Sequence, residues 1–460
     1  MKVLLVRPPH PNPRLATPYA NEPLSLETVA GAADGHDVHL LDMQFDPDLR
    51  GTLGRIAPDV VGTGGYTADV PGMVRVLSQV KHLHPRAFTV VGGHHATLSP
   101  QSFNRSDVDA VVLGMGEVSF AELLRALERR ADPGTVAGLA LPDPAELRFT
   151  AERPLPPSLD HIPPPRRDLT RRHWGRYRAL GRRIGVVNTA KGCPYRCRFC
   201  SIAREMRGRY ITKHPDRVVA ELASMPQRLV RFADGNTFGS GKRVRTLHDA
   251  IRGARLEKRF LIDARPDTVA RNPSLFERWR EAGLTVVALG LEGIHPERLA
   301  ALGKGSTVDD NLRALSILRD LDIKVLGQFM IDPDFSEDDF RGLLDFVLEQ
   351  RIPFPSFTIT TPFPGTPLFD ERRAEIALDD LTRFDCFHAL LPTRLGERRF
   401  YERFLWLYGR SYGGRRLAAA ALDRIRRPLS SRELPLSVLL AIRLYLVLGL
   451  RGLRREYGLT

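Results

Sequence analysis

Apolar runs alternate with amphipathic stretches through residues 1–130 of the chain. The runs predict strands at Val3–Val6, Val38–Leu41, Val60–Gly62, Phe88–Val91 and Ala110–Leu113. Helical periodicity between them is clearest over Val70–His82 and Ser119–Arg129. Strands that alternate with helices form a parallel sheet covered on both faces. The pattern therefore predicts an N-terminal α/β domain.

Segments rich in glycine and small polar residues follow these predicted strands. They are Arg7-Pro8-Pro9, Gly62 to Thr67, Gly92 to Thr97, and Gly114 to Glu117. In open parallel sheets, ligands bind outside the carboxyl ends of the strands. Glycine lets the backbone approach a ligand closely, so we expect a ligand site at this edge.

A second alternating series begins at Ile184–Thr189. Further strands are predicted at Leu229–Phe232, Arg259–Ala264, Val286–Leu289, Ile323–Met330 and Ser356–Thr360. Six such units are too few for a closed eight-stranded barrel but enough for an open, partial one. Between the two series, residues 146–181 hold six prolines among arginines, a composition that predicts a stiff linker without regular structure.

Composition indicates a large globular protein, with 43% hydrophobic and 27% charged residues among 460. The short apolar start, Met1–Val6, meets Arg7-Pro8-Pro9 at once, so it predicts a strand rather than a signal peptide. Only four cysteines are present, which favours a reducing, cytoplasmic setting.

Most of the net charge of +14 comes from residues 391–460, which contain fifteen arginines, no lysine and five acids. Such a region can meet nucleic acid, anionic lipid or an acidic substrate, or it can simply be a solvated helical surface. Within it, Leu434–Leu450 is nearly all apolar but too short, with Arg443 inside, for a convincing membrane span. A helix at the membrane surface and a docked helix are the two alternatives.

Three cysteines, Cys193, Cys197 and Cys200, follow the first strand of the second series with C-x3-C-x2-C spacing. Three thiolates on one tight loop can hold a four-iron cluster and leave one iron open to a small molecule, which indicates a catalytic centre. A zinc site needs a fourth ligand at suitable spacing, and a disulfide fits poorly with so few cysteines. The remote Cys386 is interpreted as a buried thiol.

The cysteine run resembles the radical SAM superfamily. This resemblance implies that the three cysteines ligate a [4Fe-4S] cluster whose open iron binds S-adenosylmethionine (SAM). Reductive cleavage of SAM then yields a 5'-deoxyadenosyl radical that abstracts hydrogen from an unactivated carbon. The implied SAM contacts are Phe199, Asp234, Asn236, Arg265 and Glu292. A buried ion pair between Arg265 and Glu292 is the structural alternative for those two residues.

The glycine-rich segments look like the cobalamin-binding domain that precedes many radical SAM domains. The implied cobalamin contacts are Pro9, Thr63, Tyr66, Thr67, Gly92, Gly93, His95, Thr97, Gly114, Gly116 and Glu117. The D-x-H-x-x-G signature is absent, so the resemblance implies cobalamin with no histidine on cobalt, and His94 and His95 would line its edge. A flavodoxin-like domain that no longer binds cobalamin is the alternative.

The predicted fold class is α/β: a flavodoxin-like, Rossmann-type cobalamin-binding domain, a partial (β/α)6 TIM-barrel radical SAM domain, and a helical C-terminal extension. The predicted boundaries are 1–145 for the first domain, 146–181 for the linker, 182–378 for the barrel and 379–460 for the basic extension.

The segments Thr361–Leu368 and Phe384–Leu395 are similar to those of a clade that includes hopanoid methylases and the bacteriochlorophyll ring cyclase. The resemblance implies cobalamin-dependent C-methylation of a small molecule or lipid in specialised metabolism, with His388 and Arg394 as candidate substrate contacts. A radical dehydratase, deoxygenase or rearrangement enzyme acting on a sugar, cyclitol or aminoglycoside-like substrate is the alternative. An RNA-modifying enzyme is a third hypothesis, although no RNA-binding module is recognisable. The expected partners are an external electron donor of the flavodoxin or ferredoxin type, a partner reductase and, through the C-terminal helix, the membrane surface.

Overall fold

The structure is a computed structural model, and it describes residues 1–11, 19–179, 182–376, 380–413 and 451–459. Two large sheets dominate it, with strand orders β3-β1-β4-β5-β6-β7-β8 and β17-β16-β15-β14-β13-β10-β9-β2, and a small hairpin pairs β11 with β12. Each large sheet matches one of the two alternating series in the sequence.

The first sheet belongs to the N-terminal domain. Its strands are β1 (Lys2–Arg7), β3 (Asp37–Asp42), β4 (Val60–Gly64), β5 (Phe88–Gly92), β6 (Ala110–Val112), β7 (Leu139–Leu141) and β8 (Arg148–Phe149). The first five of these run parallel, whereas β7 and β8 add antiparallel strands at one edge. The domain's helices are α1 (Leu24–Ala32), α2 (Leu49–Ile56), α3 (Val70–Leu83), α4 (His94–Leu98) and α5 (Gly116–Glu128). The predicted parallel α/β domain is confirmed.

The second sheet is the predicted partial barrel. Its strands are β2 (Tyr19–Ala20), β9 (Arg178–Ala179), β10 (Arg182–Val187), β13 (Leu229–Phe232), β14 (Arg259–Ala264), β15 (Leu284–Glu292), β16 (Lys324–Ile331) and β17 (Phe354–Ile359). Six strands, β10 and β13 to β17, run parallel, and the sheet stays open because β17 and β2 form its edges. The partial (β/α)6 architecture is therefore confirmed.

Helices cover one face of this sheet. They are α7 (Pro215–Ser224), α8 (Gly241–Gly253), α9 (Pro266–Arg271), α10 (Pro273–Glu281), α11 (Pro296–Ala301), α12 (Val308–Asp320), α13 (Glu337–Glu349) and α15 (Glu397–Ser411). The main core lies between them and the strands, where Trp279 packs edge-on against Phe232 and Phe260. The shorter helices α6 (Ile202–Glu205) and α14 (Pro367–Arg372) follow the cysteine loop and β17, respectively.

The proline-rich segment between the domains is more ordered than its composition predicts. It forms a 3-10 turn over Arg167–His173 and the strand β9, which pairs with β2 and β10. Arg167 explains this order, because its buried guanidinium donates to Val186 O and lies 2.9 Å from Glu221 of α7. The expectation of a linker without regular structure was wrong, since buried polar contacts attach this segment to the barrel.

A buried acid next to this segment predicts pH-dependent stability. Burial, together with the nearby charge of Glu22, raises the pKa of Glu27 to about 8, and Thr170 Oγ1 donates to its carboxyl oxygen at 2.5 Å. The folded chain then holds a proton that the unfolded chain releases near its ordinary value of 4.5. By linkage, the free energy of unfolding falls as pH rises from about 4.5 to about 8.

We expect Glu27→Gln to flatten this dependence in urea unfolding of the full chain. The exposed Glu128→Gln is the matched control and should keep the wild-type dependence. An unchanged slope of stability against pH in Glu27→Gln would contradict the assignment.

The described part of the C-terminal region contains the helix α15, which packs on α13, and a helical segment over residues 451–456. Residues 384–396 have turns without regular secondary structure. None of the helices among the described residues has the length and apolarity needed to cross a bilayer. The apolar run Leu434–Leu450, and with it the predicted membrane-surface or docked helix, lies outside the described residues.

Candidate functional site

The cysteine loop lies at the carboxyl end of β10, as the barrel architecture requires. A hairpin of β11 (Ala190–Gly192) and β12 (Tyr210–Thr212) encloses it, with α6 beginning two residues after Cys200. Gly192 has φ +83°, and a Cβ there would meet Arg209 O at 2.0 Å, so this turn requires glycine. The loop is thus built by local backbone geometry.

The surroundings of the three thiols fit an iron-sulfur cluster. Burial raises the pKa of Cys193 and raises that of Cys200 to about 11, so iron must displace their protons. Arg265 Nη1 lies 3.7 Å from Cys197 Sγ. Asn236 Nδ2 is buried beside Cys193, and the Asn236 side chain lowers the pKa of that thiol against the larger effect of burial. These N–H groups suit the negative charge of ligated sulfur.

Within the described residues, no three His, Cys, Asp or Glu side chains converge as ligands of a single metal ion. This does not conflict with a cluster, because a cubane cluster takes one thiolate on each of several irons.

Asp234, a predicted SAM contact, stabilises the backbone that leads into the cysteine loop. Its two carboxylate oxygens accept hydrogen bonds from Thr189 N and Ala190 N at 2.7 and 2.9 Å, and from the hydroxyls of Thr189 and Thr237 at 2.5 and 2.9 Å. Four bonds use most of the acceptor capacity of a carboxylate. The geometry therefore gives Asp234 a positioning role, and direct contact with SAM stays a prediction.

Arg265 and Glu292 do not pair with each other, so the predicted alternative of a shared ion pair was wrong. Arg265 forms a two-pronged bond to Asp267, at 2.9 and 3.3 Å, and stacks over the Tyr195 ring at 3.7 Å. Glu292 pairs instead with the buried Lys304 at 2.6 Å. Arg265 follows β14, and Glu292 is the last residue of the neighbouring β15, where its φ of +59° turns the backbone out of the extended conformation. Their predicted SAM contacts stay predictions.

A cavity of about 590 Å³ separates the cysteine loop from the N-terminal domain. Phe199, Cys200 and Ser201 line it from the loop side. The predicted cobalamin contacts that line it from the other side are Thr63, Tyr66, Thr67, Gly92, Gly93, Gly114, Gly116 and Glu117. Its volume is in the range of small-molecule sites. The structure thus brings eight of the eleven predicted cobalamin contacts to one cavity with Phe199 and Cys200. The other predicted SAM contacts, Asp234, Asn236, Arg265 and Glu292, do not line this cavity.

The N-terminal wall of the cavity fits a large, flat cofactor such as cobalamin. Gly93 has φ +91°, and a Cβ there would meet Gly65 N at 3.0 Å, so the two glycine loops touch only without side chains. Gly114 has φ +67°, and a Cβ there would meet no atom within 4 Å, so open space lies in front of it. Tyr66 is 67% exposed although it lines the cavity, which leaves its ring available to a ligand.

The two adjacent histidines have different environments. His95 is buried, with its ring nitrogens 3.1 Å from Thr67 Oγ1 and 3.0 Å from Ser102 Oγ, and it does not line the cavity. His94 does line the cavity, with its ring nitrogens 2.8 Å from Glu205 Oε2 and 2.7 Å from Ser201 Oγ. Both nitrogens are engaged, so His94 has none free for cobalt.

The remaining predicted contacts lie outside the cavity lining. Thr97 joins two glycine loops, since its hydroxyl donates to Gly93 O and accepts from Gly114 N, both at 2.9 Å. Pro9 lies near the N-terminal turn of α3. His388 is buried beside Asp385 and the Tyr457 ring, and Arg394 is exposed, so the structure does not place either candidate substrate contact at the cavity.

Sequence reasoning missed polar residues that the tertiary structure adds to this site. They are Asn188, Lys191, Ser201 and Glu205, all in the cavity lining. Their positions next to the cysteines were the only signal available, because polar residues in loops have no diagnostic spacing.

Two family models match the chain. The radical SAM superfamily model matches residues 187–347, which contain the cysteine loop and β13 to β16. The B12 binding domain model matches residues 16–124, which contain the glycine loops. The chain therefore contains a radical SAM domain and a B12-binding domain. The cofactors are accordingly a [4Fe-4S] cluster, SAM and cobalamin.

Relatives of this radical SAM protein include methylases and a cyclase. The hopanoid C-3 methylase of Methylococcus capsulatus is 29% identical over 414 residues, 87% of this chain and 78% of that protein. The anaerobic magnesium-protoporphyrin IX monomethyl ester cyclase of Cereibacter sphaeroides is 29% identical over 371 residues, 76% of this chain and 59% of that protein. The structure of the radical SAM methyltransferase TsrM from Kitasatospora setae, with cobalamin and a [4Fe-4S] cluster bound, shares the fold. Its TM-score is 0.65 at 20% identity, over 82% of this chain and 75% of that chain.

Proposed function

We propose that this protein is a cobalamin-dependent radical SAM C-methyltransferase that acts on a small molecule or lipid. The observation that carries the proposal is the shared cavity, which the glycine loops of the B12-binding domain and the residues Phe199 and Cys200 line from opposite sides. A methyl carrier and a radical source must face one substrate for methyl transfer to a carbon radical. One cavity bounded by both predicted cofactor sites meets that requirement.

When bound, the cofactors supply a carbon radical and a transferable methyl group, chemistry that protein side chains lack. The chain's own residues bind and orient them. Cys193, Cys197 and Cys200 hold the cluster, and Phe199 closes its cavity side. The Arg265 guanidinium, whose Nη1 lies 3.7 Å from Cys197 Sγ, would bind the SAM carboxylate.

The sheet face opposite the helices supports a substrate with hydrogen-bonding groups. Arg231 and Asp263 alternate with the core residues of β13 and β14, and their side chains lie 3.3 Å apart. Gln328 and Thr358 have half-buried positions on the same face of β16 and β17. These four side chains lie outside the cavity lining, and a substrate that extended from the cavity to this sheet face would meet polar groups.

Anaerobic reconstitution with iron, sulfide, hydroxocobalamin and SAM tests the proposal, with an external one-electron donor of the flavodoxin type. We expect the purified protein to retain corrinoid absorbance and to form S-adenosylhomocysteine beside 5'-deoxyadenosine. Deoxyadenosine without homocysteine would reject methyl transfer and favour the non-methylating alternative, a reaction class to which the related cyclase points.

A further inference from the structure

We propose that His94 is a positioning residue that holds the cysteine loop at a set distance from the B12-binding domain, a role that rests on the proposed function. Two polar contacts between the domains flank the loop. Lys191, two residues before Cys193, pairs with Glu117 at 2.5 Å. Ser201, directly after Cys200, contacts His94. The loop is therefore attached to the other domain on both sides of its cysteines.

Two hydrogen bonds fix the orientation of the His94 ring. Although burial raises the pKa of Glu205, the hydrogen bond and electrostatic attraction from His94, with the charge of Lys191, together hold that pKa below its usual value. An ionised carboxylate can only accept, so His94 Nδ1 donates to Glu205, and Nε2 and the Ser201 hydroxyl form the second hydrogen bond. Contacts at both ring nitrogens fix the plane of the imidazole as well as its position. The partners are 107 and 111 residues away in sequence, so this contact joins two domains.

The contact between Glu117 and Lys191 also joins the B12-binding domain to the cysteine loop. Glu117 is buried, and although burial raises its pKa, the ammonium of Lys191 holds the pKa below its usual value. His94 follows β5 and Glu117 follows the neighbouring strand β6, at the edge that carries the predicted cobalamin segments. Both contacts thus join the sheet edge that carries the predicted cobalamin segments to the cysteine loop. Of these two side-chain contacts, a chain without the His94 ring keeps the Lys191–Glu117 pair, which precedes Cys193.

The test compares His94→Ala, His94→Gln and the exposed control His82→Ala in the full chain, reconstituted anaerobically with iron, sulfide and hydroxocobalamin. Pulsed electron paramagnetic resonance measures the dipolar interaction, and hence the distance, between cob(II)alamin and the reduced cluster. We expect His94→Ala to keep wild-type iron content but at least to double the width of the distance distribution. His94→Gln, which can replace one hydrogen bond, should lie between, and His82→Ala should match the wild type.

A second readout is the ratio of 5'-deoxyadenosine to S-adenosylhomocysteine, which should rise at least fivefold in His94→Ala as radical formation loses its coupling to transfer. A wild-type distance distribution in His94→Ala overturns the proposal, whatever the ratio. If that variant retains too little cofactor, Ser201→Ala, which removes a single hydrogen bond, decides by the same measurement. A wild type that forms no S-adenosylhomocysteine rejects methyl transfer alone, because the distance measurement does not depend on turnover.

Discussion

Cys200→Ser is expected to abolish formation of 5'-deoxyadenosine, because it removes one of the three thiolates that we propose as cluster ligands. A serine hydroxyl is a harder and far less acidic ligand than a thiol, and iron-sulfur clusters select soft sulfur. Loss of an outer contact around a metal typically costs about 10- to 100-fold in affinity or activity, and loss of a ligand should cost more. Iron and sulfide content after anaerobic reconstitution, with deoxyadenosine formation, measures the effect.

Cys386→Ala is the matched control, because it removes the fourth cysteine and leaves the loop intact. Burial raises the pKa of Cys386 to about 12, so this thiol does not ionise at neutral pH. We expect wild-type iron content in the control. Equal iron loss in Cys386→Ala and Cys200→Ser would contradict the assignment of the three-cysteine loop as the cluster site.

Asp234→Ala should destabilise the chain by about 3 kcal/mol and also lower its iron content, because it leaves buried donors next to the cysteine loop without an acceptor. The backbone N–H groups of Thr189 and Ala190 lose their acceptor, and each unsatisfied buried donor costs about 1–3 kcal/mol. Urea unfolding of the apoprotein measures the free energy of unfolding. Iron analysis of the reconstituted protein measures how much cluster the cysteine loop retains.

Asp216→Ala provides the control, since the Asp216 side chain is 84% exposed at the start of α7. It should leave both the unfolding midpoint and the iron content unchanged. The role given to Asp234 fails if Asp234→Ala unfolds at the wild-type urea concentration.

The sequence alone was sufficient to predict local properties of the chain. The apolar periods of β13 to β17 and the close spacing of Cys193, Cys197 and Cys200 depend only on residues near each other in sequence. The glycines of the cobalamin segments were readable for the same reason, because a positive φ or a close backbone approach excludes other residues.

The sequence did not predict which of two neighbouring or equivalent residues makes a given contact. His94 and His95 are adjacent, but consecutive helical residues point about 100° apart, so α4 directs His94 to the cavity and His95 to the core. Arg265 and Glu292 lie at the ends of the neighbouring strands β14 and β15 but do not pair with each other. The register shift after Gly290 and the left-handed backbone of Glu292 accompany its pairing with Lys304 Nζ, whereas Arg265 binds Asp267 and Lys304 O. Such local backbone changes follow from packing of whole elements.

The sequence by itself therefore determined two α/β domains, the three-cysteine loop, and the classes of cofactor that the chain uses. The tertiary structure alone decided that the glycine loops face the cysteine loop across one cavity, and that His94 and Glu117 attach the two. Contacts between side chains more than 70 residues apart depend on how complete domains pack, and no short motif encodes that packing.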